Sequence, residues 1–209
     1  VETGDSINSV EDLKDKTIYS TGKGTTPEYV LNHILKKNGI NPETDVTIEY
    51  KSEVTEIAAM LSTAENAIAL LPQPFVSVSQ MQNERIRICL DLTAEWDKIT
   101  DNKLITGVVI ARNEYIENNK EQFEVFLAEY KNSVDYVNAN NETASELIDK
   151  YDIVKKAPAL KALPYCNITF IQGDDMQAHV SSYLEILMEN DASSIGGNLP
   201  DENFYYKSN

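Results

Sequence analysis

The chain alternates strand and helix signals along its first half, and this pattern constrains the fold more than any other feature. Thr17–Ser20 is a short β-branched and aromatic run, and apolar residues at helical spacing follow it from Thr26-Pro27 to Asn38-Gly39. Proline just inside a helix start and glycine just past its end are typical helix boundaries. Strands that alternate with helices predict an α/β fold, in which a mostly parallel sheet is flanked by helices.

The same alternation continues to residue 111. Strands are predicted where β-branched or continuously apolar runs occur, at 46–50, 67–71, 86–90 and 104–111. Helices are predicted at 53–62, from Pro74 to about Gln82, and in a short segment around Trp96. We therefore interpret residues 1–111 as one α/β ligand-binding lobe that includes a crossover strand.

The second half changes to helical patterning after Arg112. Helices are predicted at 123–137, 143–151, 157–163 and 176–187, with one strand at 167–171. Amphipathic helices need an apolar surface to cover, and the predicted sheet already has helices of its own. We therefore expect the helical region 112–209 to pack on an N-terminal lobe that precedes Val1. The first residue is not Met and begins no signal peptide, which agrees with an upstream start.

Composition argues against several classes of function. Asp and Glu number 34 against 18 Lys and Arg, for a net charge of −16, and no basic cluster is present to neutralise phosphates. Nucleic-acid binding is therefore not expected. No apolar run reaches the ~18 residues needed to span a bilayer. Cys89 and Cys166 are not at a metal-binding spacing. Two alternatives remain for them: two free thiols, or one disulfide.

The loop between the first strand and the first long helix is the strongest candidate ligand site. Its sequence is Thr-Gly-Lys-Gly-Thr-Thr-Pro over residues 21–27. The glycines permit close backbone approach, and the helix start offers unpaired N–H groups to an oxyanion. We predict that Lys23, Gly24, Thr25 and Thr26 bind the ligand. The alternative is a tight turn followed by an N-cap.

A second loop, Leu-Pro-Gln-Pro-Phe at 71–75, leaves a strand that is expected to end at the same edge of the sheet. Its prolines hold the strand exit rigidly, and the Gln73 amide can both donate and accept hydrogen bonds. We predict that Gln73 and Pro74 face the ligand. The alternative is a stiff strand-to-helix turn.

Catalytic patterns are poor in this sequence. His33 and His179 are the two histidines, and both lie in predicted helices. Motifs such as Gly-x-Ser-x-Gly, His-Glu-x-x-His and Cys-x-x-Cys do not occur. We therefore expect no catalytic residues, no metal, no cofactor and no enzymatic activity.

Four motifs stand in order along the chain: 9–18 (Ser-Val-Glu-Asp-Leu-Lys-Asp-Lys-Thr-Ile), the 24–29 loop, the 71–75 loop, and a closing motif made of the two stretches 164–168 and 194–206. They resemble the substrate-binding proteins of ABC importers, specifically the nitrate/sulfonate/taurine group with the type II periplasmic-binding fold. Gln73 replaces the acid that is usual in that group, and Asp15 replaces a usual glycine. The resemblance covers the whole chain and implies that the N-terminal lobe is missing.

The resemblance implies a non-catalytic receptor that captures a small polar or anionic solute, such as a sulfonate, nitrate, taurine or a pyrimidine. It further implies an extracytoplasmic location, in the periplasm or at the outer face of the cell membrane through a lipid anchor, and an ABC permease as partner. Two alternatives on the same fold stay open. One is an enzyme similar to thiamine-pyrimidine synthases, and the other is the effector-sensing domain of a transcription regulator.

Overall fold

A three-stranded parallel sheet forms the centre of the first structural unit. The structure is a computed structural model, and it describes residues 1–207. The strands are β1 (Thr17–Ser20), β2 (Thr47–Tyr50) and β3 (Ile68–Ala69), in the spatial order β2-β1-β3. Ile18 of β1 lies opposite Ile48 on one side and Ile68 on the other. The predicted α/β class with a parallel sheet is therefore confirmed.

Helices connect the strands, as parallel pairing requires. These are α1 (Thr26–Lys37), α2 (Val54–Leu61) and α3 (Phe75–Gln82). Pro27 stands in the first turn of α1, and Gly39 follows its end with φ of +75°. The sequence boundaries of these helices were therefore predicted well, because local residues determine where each helix begins and ends.

The core of this unit lies where α2 and α3 cover the strands. It contains Ile57, Leu61, Ala67, Ala69, Leu71, Val76 and Ile86. Ile57 and Leu61 are fully buried, four residues apart on one face of α2. Full burial of a Leu or Ile side chain contributes about 1.5–3 kcal/mol to stability, so this face of α2 holds the helix to the sheet.

The first residues of the chain extend the sheet beyond β3. Val1 and Ala69 exchange backbone hydrogen bonds of 2.9 Å, and Glu2 makes isolated antiparallel bridges to Ile68 and Arg87. The Glu2 side chain is completely buried, and its carboxylate accepts hydrogen bonds from Arg87 and from the backbone N–H of Ile7. A buried carboxylate requires such partners, so this ion pair fixes the start of the chain.

The chain consists of two compact structural units. The first contains Val1–Leu104 and His179–Leu199, and the second contains Ile105–Ala178 and the described residues from Pro200 onward. The further helices are α4 (Leu92–Asp97), α5 (Asn113–Asn118), α6 (Lys120–Ala139), α7 (Asn141–Lys150), α8 (Lys156–Ala162) and α9 (Gly173–Asn190). The helical character predicted for the second half is therefore observed. The domain division at residue 111 stays a prediction.

Three of the predicted strands do not form, and those predictions are wrong. Within 86–90, only Arg87 pairs, through its single bridge to Glu2. The segments 104–111 and 167–171 have no assigned strand pairing. In 104–111, Val108 is 59% exposed and Ile110 is 80% exposed. The physical reason is that a strand needs a neighbour to pair with, which periodicity within one segment does not supply.

Candidate ligand-binding site

The sheet topology brings both predicted loops to one edge. Because β1 and β3 are parallel neighbours, their carboxyl ends lie side by side, and the backbone N–H of Leu70 donates to Tyr19 at 2.8 Å. Residues 21–25 leave β1 and residues 70–74 leave β3, so we call these two segments the carboxyl-edge loops. Open parallel sheets bind ligands at this edge.

The first carboxyl-edge loop folds tightly onto itself. Gly22 and Gly24 both have φ of +74°, which favours glycine. A Cβ atom on Gly22 would lie 2.5 Å from the Thr25 hydroxyl oxygen, so a larger residue does not fit there without a shift. The Thr25 hydroxyl donates to the Gly22 carbonyl at 2.6 Å, and the Thr25 N–H donates to the same oxygen at 3.0 Å.

The N-terminal end of α1 is already partly occupied by a side chain from its own first turn, that of Glu28. The Glu28 carboxylate accepts a hydrogen bond from the Gly24 N–H. Thr25 is the N-cap residue with extended backbone, but its hydroxyl is turned to Gly22 and does not cap the helix. Of the residues predicted here, Lys23, Gly24 and Thr25 are exposed and Thr26 is half-buried. Fewer free donors therefore face solvent than the sequence suggested.

Two tyrosine hydroxyls that sequence reasoning missed lie beside this helix start. Tyr50 ends β2; burial raises the pKa of its phenol, and the Glu28 carboxylate acts in the same direction. Burial also raises the pKa of Tyr183 in α9, while the neighbouring Thr26 side chain acts against that shift. Both hydroxyl oxygens are buried without a hydrogen-bond partner. The position of Tyr50 at the carboxyl end of a predicted strand could have identified it as a site residue. Tyr183 lies too far from the loop in sequence to be identified in this way.

Lys23 extends toward the neighbouring strand. Its Nζ lies 5.9 Å from the centroid of the Tyr50 ring, within the range of a cation–π contact. Lys23 therefore belongs to the same group of side chains as Tyr50, a pairing that their separation along the chain does not predict.

The second carboxyl-edge loop turns its polar side chain inward. The Gln73 carbonyl oxygen accepts from the Ser77 N–H at 3.3 Å and from the Ser77 hydroxyl at 3.0 Å. Gln73 is half-buried, and Pro74, which follows a cis peptide bond, is the N-cap residue of α3. The amide NH₂ of Gln73 is thus the part of this side chain that is left for a ligand. Ligand contact by Gln73 and Pro74 stays a prediction.

The two histidines lie in different surroundings from the carboxyl-edge loops. His33 is 7% exposed and packs against Trp96, with ring centroids 5.2 Å apart and planes tilted by 39°. Burial lowers the pKa of His33, and the charge of Lys37 acts in the same direction. His179 makes a 3.1 Å hydrogen bond with Asn102. Within residues 1–207 no group of three His, Cys, Asp or Glu side chains is arranged to hold a metal.

A cavity of about 420 Å³ opens at the other end of the strands. Its lining includes Asp15, Lys16, Thr17, Glu65 and Asn66, and none of the six predicted site residues. The two cysteines, Cys89 and Cys166, are half-buried free thiols, which decides the alternative left open by the sequence. None of the helices in the described part of the chain has the length and apolarity to cross a membrane.

The fold and the carboxyl-edge loops define the class: the chain has the fold of ABC transporter substrate-binding proteins. It is similar to the structure of an ABC transporter protein from Parabacteroides distasonis, with a TM-score of 0.76 and 21% identity over 94% of this chain and 68% of that one. The chain belongs to the NMT1/THI5-like family, whose sequence model matches residues 1–144. The resemblance to ABC importer binding proteins is thereby confirmed.

Two further structures extend the comparison. The periplasmic aliphatic sulphonate binding protein SsuA of Escherichia coli is 16% identical, with a TM-score of 0.76, over 98% of this chain and 63% of that one. The alkanesulfonate-binding protein SsuA of Xanthomonas axonopodis pv. citri, bound to MOPS, is 14% identical, with a TM-score of 0.57, over 94% and 63%. This chain therefore spans about two thirds of their length. No curated protein sequence matches it.

Proposed function

We propose that the chain is the solute-binding component of an ABC importer, which captures a small polar solute outside the cytoplasmic membrane and performs no chemistry on it. The observation that carries this proposal is the meeting of two carboxyl-edge loops on a binding-protein fold. The start of α1 and the Thr25 and Thr26 side chains would hold one side of the solute, and the Gln73 amide would contact it from the second loop.

The second structural unit supports a further part of the proposal. Most of the large hydrophobic side chains that are exposed among the described residues belong to this unit, including Val109, Tyr115, Phe126 and Ile153. A concentration of large exposed hydrophobic side chains in one unit is typical of a surface that a partner covers. Because the similar structures are longer than this chain, we propose that a further lobe covers residues 112–209 and closes over the bound solute.

Such a receptor works by a shift in the equilibrium between an open and a closed form. Solute that contacts both lobes stabilises the closed form, by an amount equal to its difference in affinity for the closed and open forms. The closed form would then present both lobes to the membrane-embedded permease, which is the proposed protein partner.

The alternative of an enzyme on this fold has its own test. It requires a reactive histidine, yet His33 is buried against Trp96 and His179 is bonded to Asn102. Replacing both histidines would abolish any conversion of bound solute if the enzyme alternative were correct, and would leave solute binding intact under our proposal. The effector-sensing alternative predicts a DNA-binding segment in the same polypeptide, which the gene sequence upstream of Val1 decides.

The main experiment measures solute binding to a Thr25→Ala, Thr26→Ala double variant. A thermal-shift screen with taurine, alkanesulfonates, nitrate and aminopyrimidines first identifies a ligand, and calorimetry then gives its affinity. We expect a loss of about tenfold or more, because each lost hydrogen bond contributes about 0.5–1.5 kcal/mol.

Thr44→Ala is the matched control, since Thr44 is exposed in the turn before β2, at the opposite edge of the sheet. Equal affinity of the double variant and the Thr44 control would remove Thr25 and Thr26 from the site.

A further inference from the structure

One tyrosine hydroxyl holds the first carboxyl-edge loop by a backbone carbonyl. Tyr29 lies near the start of α1 and is 7% exposed, and its phenol oxygen lies 3.1 Å from the Gly24 carbonyl oxygen. That carbonyl and the Thr25 N–H belong to one peptide group, and the Thr25 N–H donates to the Gly22 carbonyl at 3.0 Å. The orientation of this peptide group therefore depends on the hydrogen bond from Tyr29.

The same hydroxyl has a second acceptor within reach. The Oδ2 atom of Asp191, the residue that follows α9, lies 3.3 Å from the Tyr29 oxygen, and both residues belong to the first structural unit. A phenol has a single proton, and both distances exceed the ~2.7–2.8 Å that is usual for an O–H···O hydrogen bond. The Tyr29 proton is therefore divided between the Gly24 carbonyl and the Asp191 carboxylate.

Asp191 competes strongly for that proton because it is charged. Its Oδ1 atom accepts from the Ser193 hydroxyl at 2.7 Å and from the Ser193 N–H at 2.9 Å, and these bonds hold the pKa of Asp191 below its usual value. Burial raises the pKa of Tyr29, and the charge of Asp191 acts in the same direction, so the phenol keeps its proton. Hydrogen bonds to a charged acceptor are stronger than those to a neutral carbonyl. Asp191 therefore weakens the hydrogen bond that holds Gly24.

We propose that Tyr29 is a positioning residue for the first carboxyl-edge loop, and that Asp191 loosens this loop by competing for the Tyr29 proton. The inference rests on the proposed function, because Thr25 of this loop is one of the proposed solute contacts. A loop that is already held in one orientation loses less conformational freedom on binding, which raises affinity. Asp191 thus lowers solute affinity from a residue 162 positions away from Tyr29 in the sequence.

Two conservative substitutions have opposite expected effects on the loop. Tyr29→Phe removes the hydroxyl and releases the Gly24 carbonyl. Asp191→Asn keeps an oxygen for Ser193 and offers its NH₂ to the Tyr29 oxygen, so that the Tyr29 proton goes to Gly24 alone.

The measurement is hydrogen exchange of the Thr25 N–H, followed residue by residue in ¹H–¹⁵N spectra. Loss or gain of one hydrogen bond changes a local equilibrium by about two- to tenfold. We therefore expect exchange at least threefold faster in Tyr29→Phe and at least twofold slower in Asp191→Asn. In the double variant, Asp191→Asn is expected to have no further effect, because the contested proton is gone.

Asp201→Asn is the matched control for the aspartate. Asp201 also begins a short 3₁₀ helix, Glu202–Phe204, and accepts from the N–H of Asn203, but it lies in the second structural unit. Tyr136→Phe is the control for the tyrosine, since it removes a hydroxyl that is bonded to Thr143 in that unit. Both controls are expected to leave the exchange of the Thr25 N–H unchanged.

The sign of the Asp191→Asn effect separates positioning of the loop from simple fastening. If Tyr29 and Asp191 only fasten the end of α9 to α1, both variants speed up exchange, and the inference is overturned. Exchange rates equal to those of the two controls overturn it as well.

Solute affinity is measured in parallel, by titration with taurine, methanesulfonate, nitrate and 4-aminopyrimidine. A solute that binds the wild type is expected to bind at least twofold more tightly to Asp191→Asn and at least twofold more weakly to Tyr29→Phe. Equal affinities in all three proteins would refute the regulation of solute binding. If none of these solutes binds the wild type, the proposed function fails, whereas the exchange rates still decide whether Tyr29 positions the loop.

Discussion

Arg87→Met is the most informative perturbation of the fold. Arg87 forms an ion pair with Glu2, and its Nε donates to the Gly4 carbonyl at 3.3 Å. Its removal leaves the fully buried Glu2 carboxylate with hydrogen bonds from Ser6 and Ile7 only. Breaking a buried ion pair by removing one partner costs about 3–5 kcal/mol. Since Glu2 keeps these neighbours and the Arg87 side chain is 36% exposed, we expect the lower end of this range, about 3 kcal/mol.

Urea unfolding followed by tryptophan fluorescence measures this loss of stability in the structural unit that contains Glu2 and Arg87. Trp96 is the single tryptophan of the chain, is 1% exposed, and lies in the same structural unit as Glu2 and Arg87. With a denaturant slope of about 1–3 kcal/mol/M, a loss of 3 kcal/mol lowers the midpoint by roughly 1–3 M.

Arg85→Met is the matched control. Arg85 pairs with Glu65 at 3.8 Å, and both side chains are more than half exposed. Exposed pairs of this kind contribute about 0–1 kcal/mol, so the control is expected to unfold close to the wild type. The double variant Glu2→Gln, Arg87→Met removes the stranded charge and should recover part of the stability. If Arg87→Met and Arg85→Met unfold at the same midpoint, Glu2 and Arg87 do not fix the start of the chain.

Two further predictions concern the same unit. Leu61→Ala should destabilise it by about 2–5 kcal/mol, because Leu61 of α2 is fully buried in the core that also contains Ala69 of β3. Leu199→Ala, at an exposed residue, should have little effect in the same urea assay. His33→Phe should reduce the loss of folding stability between pH 7 and pH 5. Burial lowers the pKa of His33 in the folded state. Below the pKa of the unfolded state, the unfolded chain therefore binds a proton at this residue more readily than the folded chain does, and the wild type loses stability as the pH falls. Equal pH dependence of the His33 variant and the wild type would contradict this reasoning.

Local sequence was sufficient for most helices and for the three strands. α1 illustrates why: Pro27 and Gly39 mark its ends, and its apolar residues at helical spacing face the core. In β3, a continuously apolar sequence predicted burial on both faces, which the structure shows for Ile68 and Ala69. Such features depend on neighbours within one turn or one strand, so the sequence contains them.

The incorrect predictions concern features that depend on distant residues. The 104–111 segment has the β-branched composition of a strand, but composition does not provide the partner strand. Tyr183 reaches Thr26 from a helix that lies more than a hundred residues later. The spacing of residues along the chain does not predict such a contact.

The exposed segment 105–111 has a practical consequence for work with this protein. Its sequence, Ile-Thr-Gly-Val-Val-Ile-Ala, is uncharged and rich in β-branched residues, and its backbone has no assigned strand partner within residues 1–207. Segments of this kind template intermolecular cross-β aggregation. Lys103 and Arg112 flank it on either side as gatekeeper charges. Purification at low ionic strength keeps the mutual repulsion between chains of net charge −16 strong. Because Lys103 is paired with Asp97, Arg112 is the gatekeeper whose replacement with a neutral residue would shorten the time before insoluble material forms.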